Sequence, residues 1–235
     1  MNVVVVGLKR KIVEDVLSKF DLKLNKKNPE IVISFGGDGT ALYAERVYPG
    51  IPRILIKHSK ACNKCEEHDF SKIFSVLKQG RFTIREEIKI EGVVDNDPKK
   101  RLVGLNEIGI HHKPPTKTVG FRVKVNGRLI EDKIIGDGLL VATPYGSTGY
   151  FHSISRMSFK KGLGIAFNNP IKKRKNLIVD ADSVIKVEIL RGDGLMVADN
   201  YERMIPIGKG DLITIKKTKE KARIIKLGGE SRIKV

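Results

Sequence analysis

The chain of 235 residues has no tryptophan and only two cysteines, Cys62 and Cys65. Two cysteines so close together cannot link distant parts of a fold, which excludes a secreted disulfide scaffold and favours a reducing compartment. No apolar run approaches the roughly 20 residues that cross a bilayer, and Met1 leads directly into a strand-like segment. We therefore expect no membrane segment, no signal peptide and a cytoplasmic location.

Two common nucleotide-binding signatures are also missing. The sequence contains no Gly-x-x-x-x-Gly-Lys-Ser/Thr loop, and the apolar segment from Val3 to Gly7 is not followed by Gly-x-Gly-x-x-Gly. Both absences disfavour an ordinary P-loop or Rossmann protein.

Acidic residues are outnumbered, 27 against 45 Lys and Arg, which gives a net charge of +18. Such an excess attracts ATP, polyphosphate, dinucleotides and nucleic acids, although it is also typical of a solvated surface in a heat-adapted protein. The basic clusters contain no interleaved aromatic residues, so we expect no specific nucleic-acid binding. These clusters are Lys9-Arg10-Lys11, Lys99-Lys100-Arg101, Lys160-Lys161 and Lys172-Lys173-Arg174-Lys175.

The first part of the chain alternates strand-like and helix-like patterns, which predicts an α/β domain with a parallel sheet. The predicted elements are strands at Val3 to Gly7, Ile31 to Phe35 and Arg53 to Ile56, and helices at Lys11 to Phe20, Thr40 to Val47 and Phe70 to Gln79.

The remainder consists of short β-type runs separated by turn residues, which predicts a mostly antiparallel, β-rich domain. These runs are Ile84 to Val94, Leu102 to Ile110, Phe121 to Val125, Leu139 to Thr143, Val184 to Leu190 and Leu212 to Lys216. We place the domains at residues 1–84 and 85–235, with the last residues able to pack back on the first domain. A cleft between the halves is the expected ligand site.

The clearest functional motif is Gly36-Gly37-Asp38-Gly39-Thr40, between an apolar strand and a helix-like pattern. Glycines allow close approach of a phosphate, and a helix start favours negative charge. A carboxylate within such a loop suggests proton acceptance from an attacking hydroxyl, or Mg²⁺ binding. The alternative is a tight turn with Asp38 as a helix cap.

Two further segments carry polar groups suited to a nucleotide. Asn106-Glu107 lies within an apolar strand-like run, where an amide beside a carboxylate can hold ribose hydroxyls, or can serve only a structural turn. Gly136 to Tyr150 reads as a strand entering a Pro-Gly turn and a Ser/Thr-rich helix start, with the Tyr150 ring available for a base.

Together these segments resemble the NAD kinase family, which carries a Gly-Gly-Asp-Gly-Thr loop, an Asn-Glu pair and an Asp-Gly-x-x-Val-x-Thr-Pro-x-Gly-Ser-Thr-x-Tyr stretch in this order. The match covers about residues 31–153. The first loop alone also resembles lipid kinases and phosphofructokinases. The resemblance implies transfer of phosphate from ATP or polyphosphate, with Mg²⁺, to the 2′-hydroxyl of the NAD adenosine ribose. It further implies an α/β domain before a β-rich domain, and a homodimer or homotetramer.

The resemblance also implies roles for particular residues. Asp38 is the expected catalytic residue. The expected phosphate- and nucleotide-binding residues are Gly36, Gly37, Gly39 and Thr40, and the expected NAD-binding residues are Asn106, Glu107, Asp137, Thr148, Gly149, Tyr150 and Ser153.

The sequence departs from the family pattern in three places. His58 to His68 replaces the usual Gly-x-Leu-Gly-Phe-Leu, Phe151 to Arg156 replaces Gly-Gly-Pro, and Asp199-Asn200 stands where Asp-Gly is typical. These changes leave open a kinase of another hydroxyl acceptor, such as a lipid or sugar phosphate, or a non-catalytic nucleotide-binding protein.

Four of the histidines lie near the two cysteines or at the end of a predicted strand. His58, Cys62, Cys65 and His68 are candidate zinc ligands, while exposed thiols or a redox pair are the alternatives. His111 and His112 could contact phosphates or could simply lie at an exposed edge.

Overall fold

The computed structural model describes residues 1–58, 64–66 and 69–227, and it divides the chain into two units. One unit comprises Met1–Glu87 and Lys221–Val235, and the other comprises Ile88–Glu220. The chain crosses from the first unit to the second within strand β5 (Phe82–Val94), and it returns within strand β16 (Leu212–Leu227).

The first unit contains a parallel sheet with its helices in the connections. Its other elements are β1 (Asn2–Val6), α1 (Arg10–Leu17), β2 (Lys23–Leu24), β3 (Ile31–Gly36), α2 (Asp38–Val47), β4 (Arg53–Lys57) and α3 (Phe70–Lys78). The strand order is β2, β1, β3, β4 and then the end of β16, with Ile224 opposite Arg53. This arrangement agrees with the alternating pattern of the sequence.

Both faces of this sheet are apolar because the central strands are nearly continuous runs of Val, Ile and Leu. On one face, α1 contributes Val13 and Leu17 at helical spacing, and α3 contributes Ile73, Phe74 and Leu77. Val4, Val6 and Val32 form the other face with Ala44 of α2. Helix α2 is thereby packed directly on β1 and β3.

The second unit contains two antiparallel layers. Its elements are β6 (Arg101–Gly104), β7 (Glu107–His112), β8 (Val119–Val125), β9 (Arg128–Gly136), β10 (Gly138–Ala142), α4 (Tyr150–Ser155), β11 (Leu163–Asn168), β12 (Leu177–Val179), β13 (Ile185–Arg191), β14 (Gly194–Ala198) and β15 (Ile205–Ile207). One sheet has the order β12, β11, β10, β7, β14, β15, and the other layer contains β16, β13, β8 and β9. Alternating residues such as Phe121 and Val187 meet Ile108 and Ile110 in the shared core.

Three short 3₁₀ turns complete the described elements, at Ser18–Phe20, Pro98–Lys100 and Gly146–Thr148. Among residues 1–58, 64–66 and 69–227, every helix is too short or too polar to span a bilayer.

The predicted fold class is confirmed, but the run from Leu102 to Ile110 is not one strand. The chain turns at Leu105 and Asn106, so that β6 ends at Gly104 and β7 begins at Glu107. The turn forms because the backbone N–H groups there donate to the Asp199 carboxylate instead of to a neighbouring strand. Strands β2, β9, β11, β12, β14 and β15 were not predicted from the sequence pattern.

Candidate functional site

The glycine-rich motif forms the junction between β3 and α2. Gly37 is the N-cap of α2 in an extended conformation, and Asp38 is the first helical residue, two positions before the predicted start. The Gly37 carbonyl accepts hydrogen bonds from Thr40 N (3.0 Å) and Ala41 N (3.1 Å). Asp38 and Gly39 are exposed at this helix start, so the site combines a positive helix end with an accessible carboxylate.

Gly36 is the position of this junction where a side chain would not fit. A Cβ atom there would lie 2.2 Å from Thr40 Oγ1 and 2.8 Å from Thr40 Cβ. The glycine therefore lets the first turn of α2 fold closely over the end of β3. This close packing fixes the direction in which Asp38 leaves the sheet.

A cavity of about 520 Å³ adjoins this junction within the first unit. The start of α2 contributes Gly39 and Thr40 to the lining, and Tyr43 follows one turn later. Arg10 and Lys26 supply positive charge on the side of β1 and β2. The cavity therefore combines an apolar wall, an aromatic ring and cations, which are the features that a nucleotide requires.

Part of the segment that departs from the family pattern also contacts the glycine-rich motif. His58 N donates to the Gly36 carbonyl (3.0 Å), and the His58 ring packs on Phe35 with 4.6 Å between ring centroids. Cys65 Sγ lies 4.0 Å from the same carbonyl oxygen. Cys62 and His68 lie outside the described residues, so the zinc prediction stays a prediction, and no cluster of three potential ligands occurs within the described part of the chain.

In the second unit, Asn106 occupies a turn between strands and Glu107 opens β7. Thr143, at the end of β10, donates from its N to the Asn106 carbonyl (2.8 Å) and from Oγ1 to the Leu105 carbonyl (2.6 Å). Asn106 Oδ1 is buried and has no hydrogen-bond partner among the residues that the structure describes. A buried acceptor of this kind is suited to an N–H or O–H donor of a ligand.

The turn after β10 lies directly against Asn106. A Cβ at Gly146 would be 2.3 Å from the Asn106 carbonyl oxygen, so only glycine permits this approach. Thr148 and Gly149 are exposed beside it, and Tyr150 is 41% exposed. The structure thus brings Asn106 together with the predicted residues of the Gly146 to Tyr150 segment.

Tyr150 is held by two side chains that the motif did not include. Its ring stacks on His111, with 5.9 Å between centroids and an angle of 12°. Its hydroxyl accepts a hydrogen bond from Asn168 Nδ2 (3.3 Å). Burial lowers the pKa of His111, and the charge of His112 lowers it further, which favours a neutral ring against Tyr150.

Asp137 and Ser153 are engaged in local contacts. Asp137 Oδ2 accepts from Asn169 Nδ2 (3.0 Å), and Oδ1 lies 3.6 Å from His112 Nδ1. Ser153 Oγ donates to the Tyr150 carbonyl within α4 (2.8 Å), which leaves its lone pairs for a ligand. His111 lies against Tyr150 and His112 lies beside Asp137, and their contact with phosphates stays a prediction.

The sequence pattern missed Thr143 as a support of Asn106 and Asn168 and Asn169 as supports of Tyr150 and Asp137. Asn168-Asn169-Pro170 does contain a signal, because Asn before Pro is typical of a turn where side chains meet backbone and neighbouring polar groups. Which groups they meet depends on strand pairing, which the local sequence does not reveal.

Comparison with known proteins decides the family. The family model of the ATP-NAD kinase C-terminal domain matches residues 105–227, more than half of the chain. This chain belongs to the NAD kinase family. The predicted family is confirmed, and the chain is a phosphotransferase of that family.

The sequences of individual relatives align with most of this chain. A bifunctional NADP phosphatase/NAD kinase of Methanococcus maripaludis is 31% identical over 88% of this chain, which spans only 38% of the length of that protein. An NAD kinase of Sulfurisphaera tokodaii is 29% identical over 92% of this chain and 88% of its own length.

The fold is shared with solved structures. An NAD kinase from Archaeoglobus fulgidus, solved in complex with ATP, has a TM-score of 0.78 at 21% identity, with 96% of this chain and 94% of the other covered. At this level of identity the likeness establishes the fold.

Proposed function

We propose that this NAD kinase family member transfers the γ-phosphoryl group of ATP to the 2′-hydroxyl of the adenosine ribose of NAD, which yields NADP. One observation carries the proposal within the family. The exposed Asp38 carboxylate stands at the start of α2, within a glycine turn that opens beside a nucleotide-sized cavity. A general base among phosphate-binding groups is what attack by a hydroxyl on a phosphoryl group requires.

In this proposal, Asp38 accepts the proton of the ribose 2′-hydroxyl as its oxygen attacks the γ-phosphorus. The new O–P bond forms as the bond from the γ-phosphorus to the β,γ-bridging oxygen breaks, and ADP leaves with the bond's electron pair. Gly36, Gly37, Gly39 and Thr40 lie next to the phosphates, where the helix start favours the developing negative charge. Positioning and electrostatics supply most of the acceleration.

The cavity beside α2 suits the donor nucleotide. Its volume of about 520 Å³ falls within the usual range for small-molecule sites. Tyr43 offers an aromatic face to an adenine ring, while Arg10 and Lys26 offer charge to a triphosphate. Polyphosphate would use the cations but not the aromatic wall, which favours ATP as the donor.

The second unit supplies groups for the acceptor. Asn106 Oδ1 provides a buried hydrogen-bond acceptor, and Glu107 adjoins it at the start of β7. Thr148, Gly149 and Tyr150 present an exposed surface with a stacking ring. The remaining proposed NAD contacts are Asp137 and Ser153.

Mg²⁺ fits the groups that the first unit offers. The described residues contain no cluster of three or more acidic, histidine or cysteine ligands, and Asp38 is the acidic residue within the glycine turn. Mg²⁺ in phosphoryl transfer needs only one or two protein carboxylates, since substrate phosphates and water fill the other positions. When bound with ATP, the ion would neutralise charge on the transferring phosphates, and Asp38 is the residue that would approach it.

The partners and location remain part of the proposal. A homodimer or homotetramer and a cytoplasmic location follow from the family resemblance and the sequence composition. Gel filtration with light scattering would measure the number of subunits.

The experiment that tests the function measures NADP formation from NAD, ATP and Mg²⁺, coupled to an NADP-specific dehydrogenase. We expect the wild type to turn over and Asp38→Asn to lose about 10²- to 10⁴-fold in kcat, the usual range for a general base. Asp15→Asn, an exposed change on α1, is the matched control and should retain full activity.

Two results would contradict the proposal. Wild-type turnover by the folded Asp38→Asn variant would remove Asp38 from the chemistry. Absence of NADP formation by the wild type, with phosphorylation of a lipid or sugar phosphate instead, would assign a different acceptor, as the departures at residues 58–68 and 151–156 allow.

A further inference from the structure

The turn that carries Asn106 is held by the side chain of one distant residue. Asp199 follows the end of β14, and its carboxylate accepts three backbone hydrogen bonds. Leu105 N donates to Oδ2 at 2.8 Å, while Asn106 N and Glu107 N donate to Oδ1 at 2.8 and 3.0 Å. Three consecutive N–H groups thus converge on a single negative charge.

The carbonyl groups of the same turn are also bonded. Thr143 holds the carbonyls of Leu105 and Asn106, and Asp199 N donates to the Glu107 carbonyl at 3.2 Å. Two residues therefore account for all six backbone polar groups of Leu105, Asn106 and Glu107. A turn with no backbone group left over has little freedom to change conformation.

This backbone arrangement leaves the Asn106 side chain for another partner. Its Oδ1 is buried and lacks a hydrogen bond within the described residues, although its backbone is fully engaged. Its Nδ2 lies 3.8 Å from the position that a Cβ would take at Gly149, beside the exposed segment that ends in Tyr150. Holding the backbone of the turn therefore fixes where the amide meets a ligand.

We propose that Asp199 is the positioning residue of the acceptor site and sets the affinity for the acceptor nucleotide through Asn106. This inference rests on the proposed function, because it assumes that Asn106 binds the acceptor. Asp199 acts through the turn and takes no part in proton or phosphoryl transfer. Loss of its charge should therefore weaken acceptor binding and leave donor binding and the chemical step intact.

Asp199→Asn is the sharpest substitution. It keeps the size of the side chain, and Asn tolerates the left-handed backbone at this position, where φ is +48°. It removes the charge and places an amide N–H₂ where one acceptor oxygen had been, so that at least one of the three backbone donors loses its partner. Hydrogen bonds to charged groups are strong enough to predict a rise of about 10- to 100-fold in KM for NAD.

The assay measures KM for NAD, KM for ATP and kcat in parallel with amide hydrogen exchange at Leu105, Asn106 and Glu107. We expect KM for NAD to rise, kcat and KM for ATP to stay within about threefold, and the three amides to exchange faster. Asp182→Asn is the matched control, because the Asp182 side chain is 82% exposed and pairs with Lys217 at the surface of the same unit. It should change none of these quantities.

A second pair of variants covers the case in which Asp199→Asn fails to fold. Thr143→Val removes the hydroxyl that holds the Leu105 carbonyl, whereas Thr143→Ser keeps it. We expect the valine variant to raise KM for NAD and the serine variant to restore it. A rise of the same size in both would overturn the proposal.

Other outcomes separate the inference from the function on which it rests. If the wild type forms no NADP, the proposed function fails, and exchange at the three amides still reports whether Asp199 holds the turn. If NADP forms but Asp199→Asn leaves KM for NAD unchanged, the positioning role is wrong. Equal losses in kcat and in both KM values would mean general damage and would also overturn it.

Discussion

The buried ion pair between Glu45 and Arg53 offers a severe test of how α2 is held. The two side chains are 3% and 0% exposed, and Arg53 Nη2 also donates to the carbonyls of Tyr48 (3.0 Å) and Ile51 (3.3 Å). Glu45 lies on α2 and Arg53 opens β4. Because Asp38 begins the same helix about two turns earlier, this pair ties the proposed catalytic residue to the sheet.

Replacing one partner of the pair should lower the free energy of unfolding more than replacing both. Glu45→Met or Arg53→Met alone leaves a buried charge without its counterion, which costs about 3–5 kcal/mol in the free energy of unfolding. The double substitution puts two apolar chains of similar length in the same space. It leaves the two carbonyls that Arg53 served without that donor, and it leaves Gly50 N, which donates to Glu45 Oε1 at 3.3 Å, without that acceptor. At about 1 kcal/mol for each of these groups, we expect a loss of about 3 kcal/mol.

Urea unfolding followed by far-UV circular dichroism would measure the three variants, and amide exchange within α2 would locate the effect. Glu14→Gln is the control, since Glu14 pairs with a half-exposed Arg10 at 3.5 Å and should change stability by less than about 0.5 kcal/mol. Additive losses, with the double variant equal to the sum of the singles within about 0.5 kcal/mol, would refute the reasoning.

Two further predictions concern the second unit. Gly146→Ala should push Asn106 away from its position, which should destabilise the unit by about 1–3 kcal/mol and raise KM for NAD. Gly208→Ala is the control, because no atom lies closer than 3.8 Å to the new Cβ, and it should change neither stability nor KM. The pKa of His111 in the folded state lies below its ordinary value of 6.5. As the pH falls below 6.5, the unfolded state therefore binds a proton that the folded state does not. The free energy of unfolding falls over this range until the pH reaches the folded-state pKa. His111→Phe should keep the stack on Tyr150 and reduce the difference in unfolding free energy between pH 8 and pH 5; an unchanged difference would contradict this origin.

The elements with strong local patterns could be predicted from the sequence. The three parallel strands β1, β3 and β4 and the helices between them follow from apolar periodicity, and each predicted boundary lies within a few residues of the observed one. Strands such as β9, in which charged and apolar residues do not alternate, and β15, which has only three residues, have no such pattern. Their pairing is set by partners elsewhere in the chain.

The same difference between local and long-range features applies to the sites. The backbone of the turn around Asp38 requires glycines that are neighbours in the chain, and therefore the turn can be recognised in the sequence. The ion pair of Glu45 with Arg53 is not visible, because nothing in a strand-like pattern indicates that its first residue is a fully buried arginine. The stack of His111 on Tyr150 likewise joins residues from β7 and α4 that only the fold brings together.

Strand register explains how two separate sequence signals meet at Asn106. In the sheet, Ala142 of β10 lies opposite Glu107, and Ala198 of β14 lies opposite Ile108 on the other side of β7. The next residues along those strands are Thr143 and Asp199, so each neighbour of β7 places one polar residue beside the turn that precedes it. A shift of either strand by one residue would turn these side chains to the opposite face of the sheet. The antiparallel pairing that builds the core of the second unit is thus also what fixes the amide of Asn106 in the proposed acceptor site.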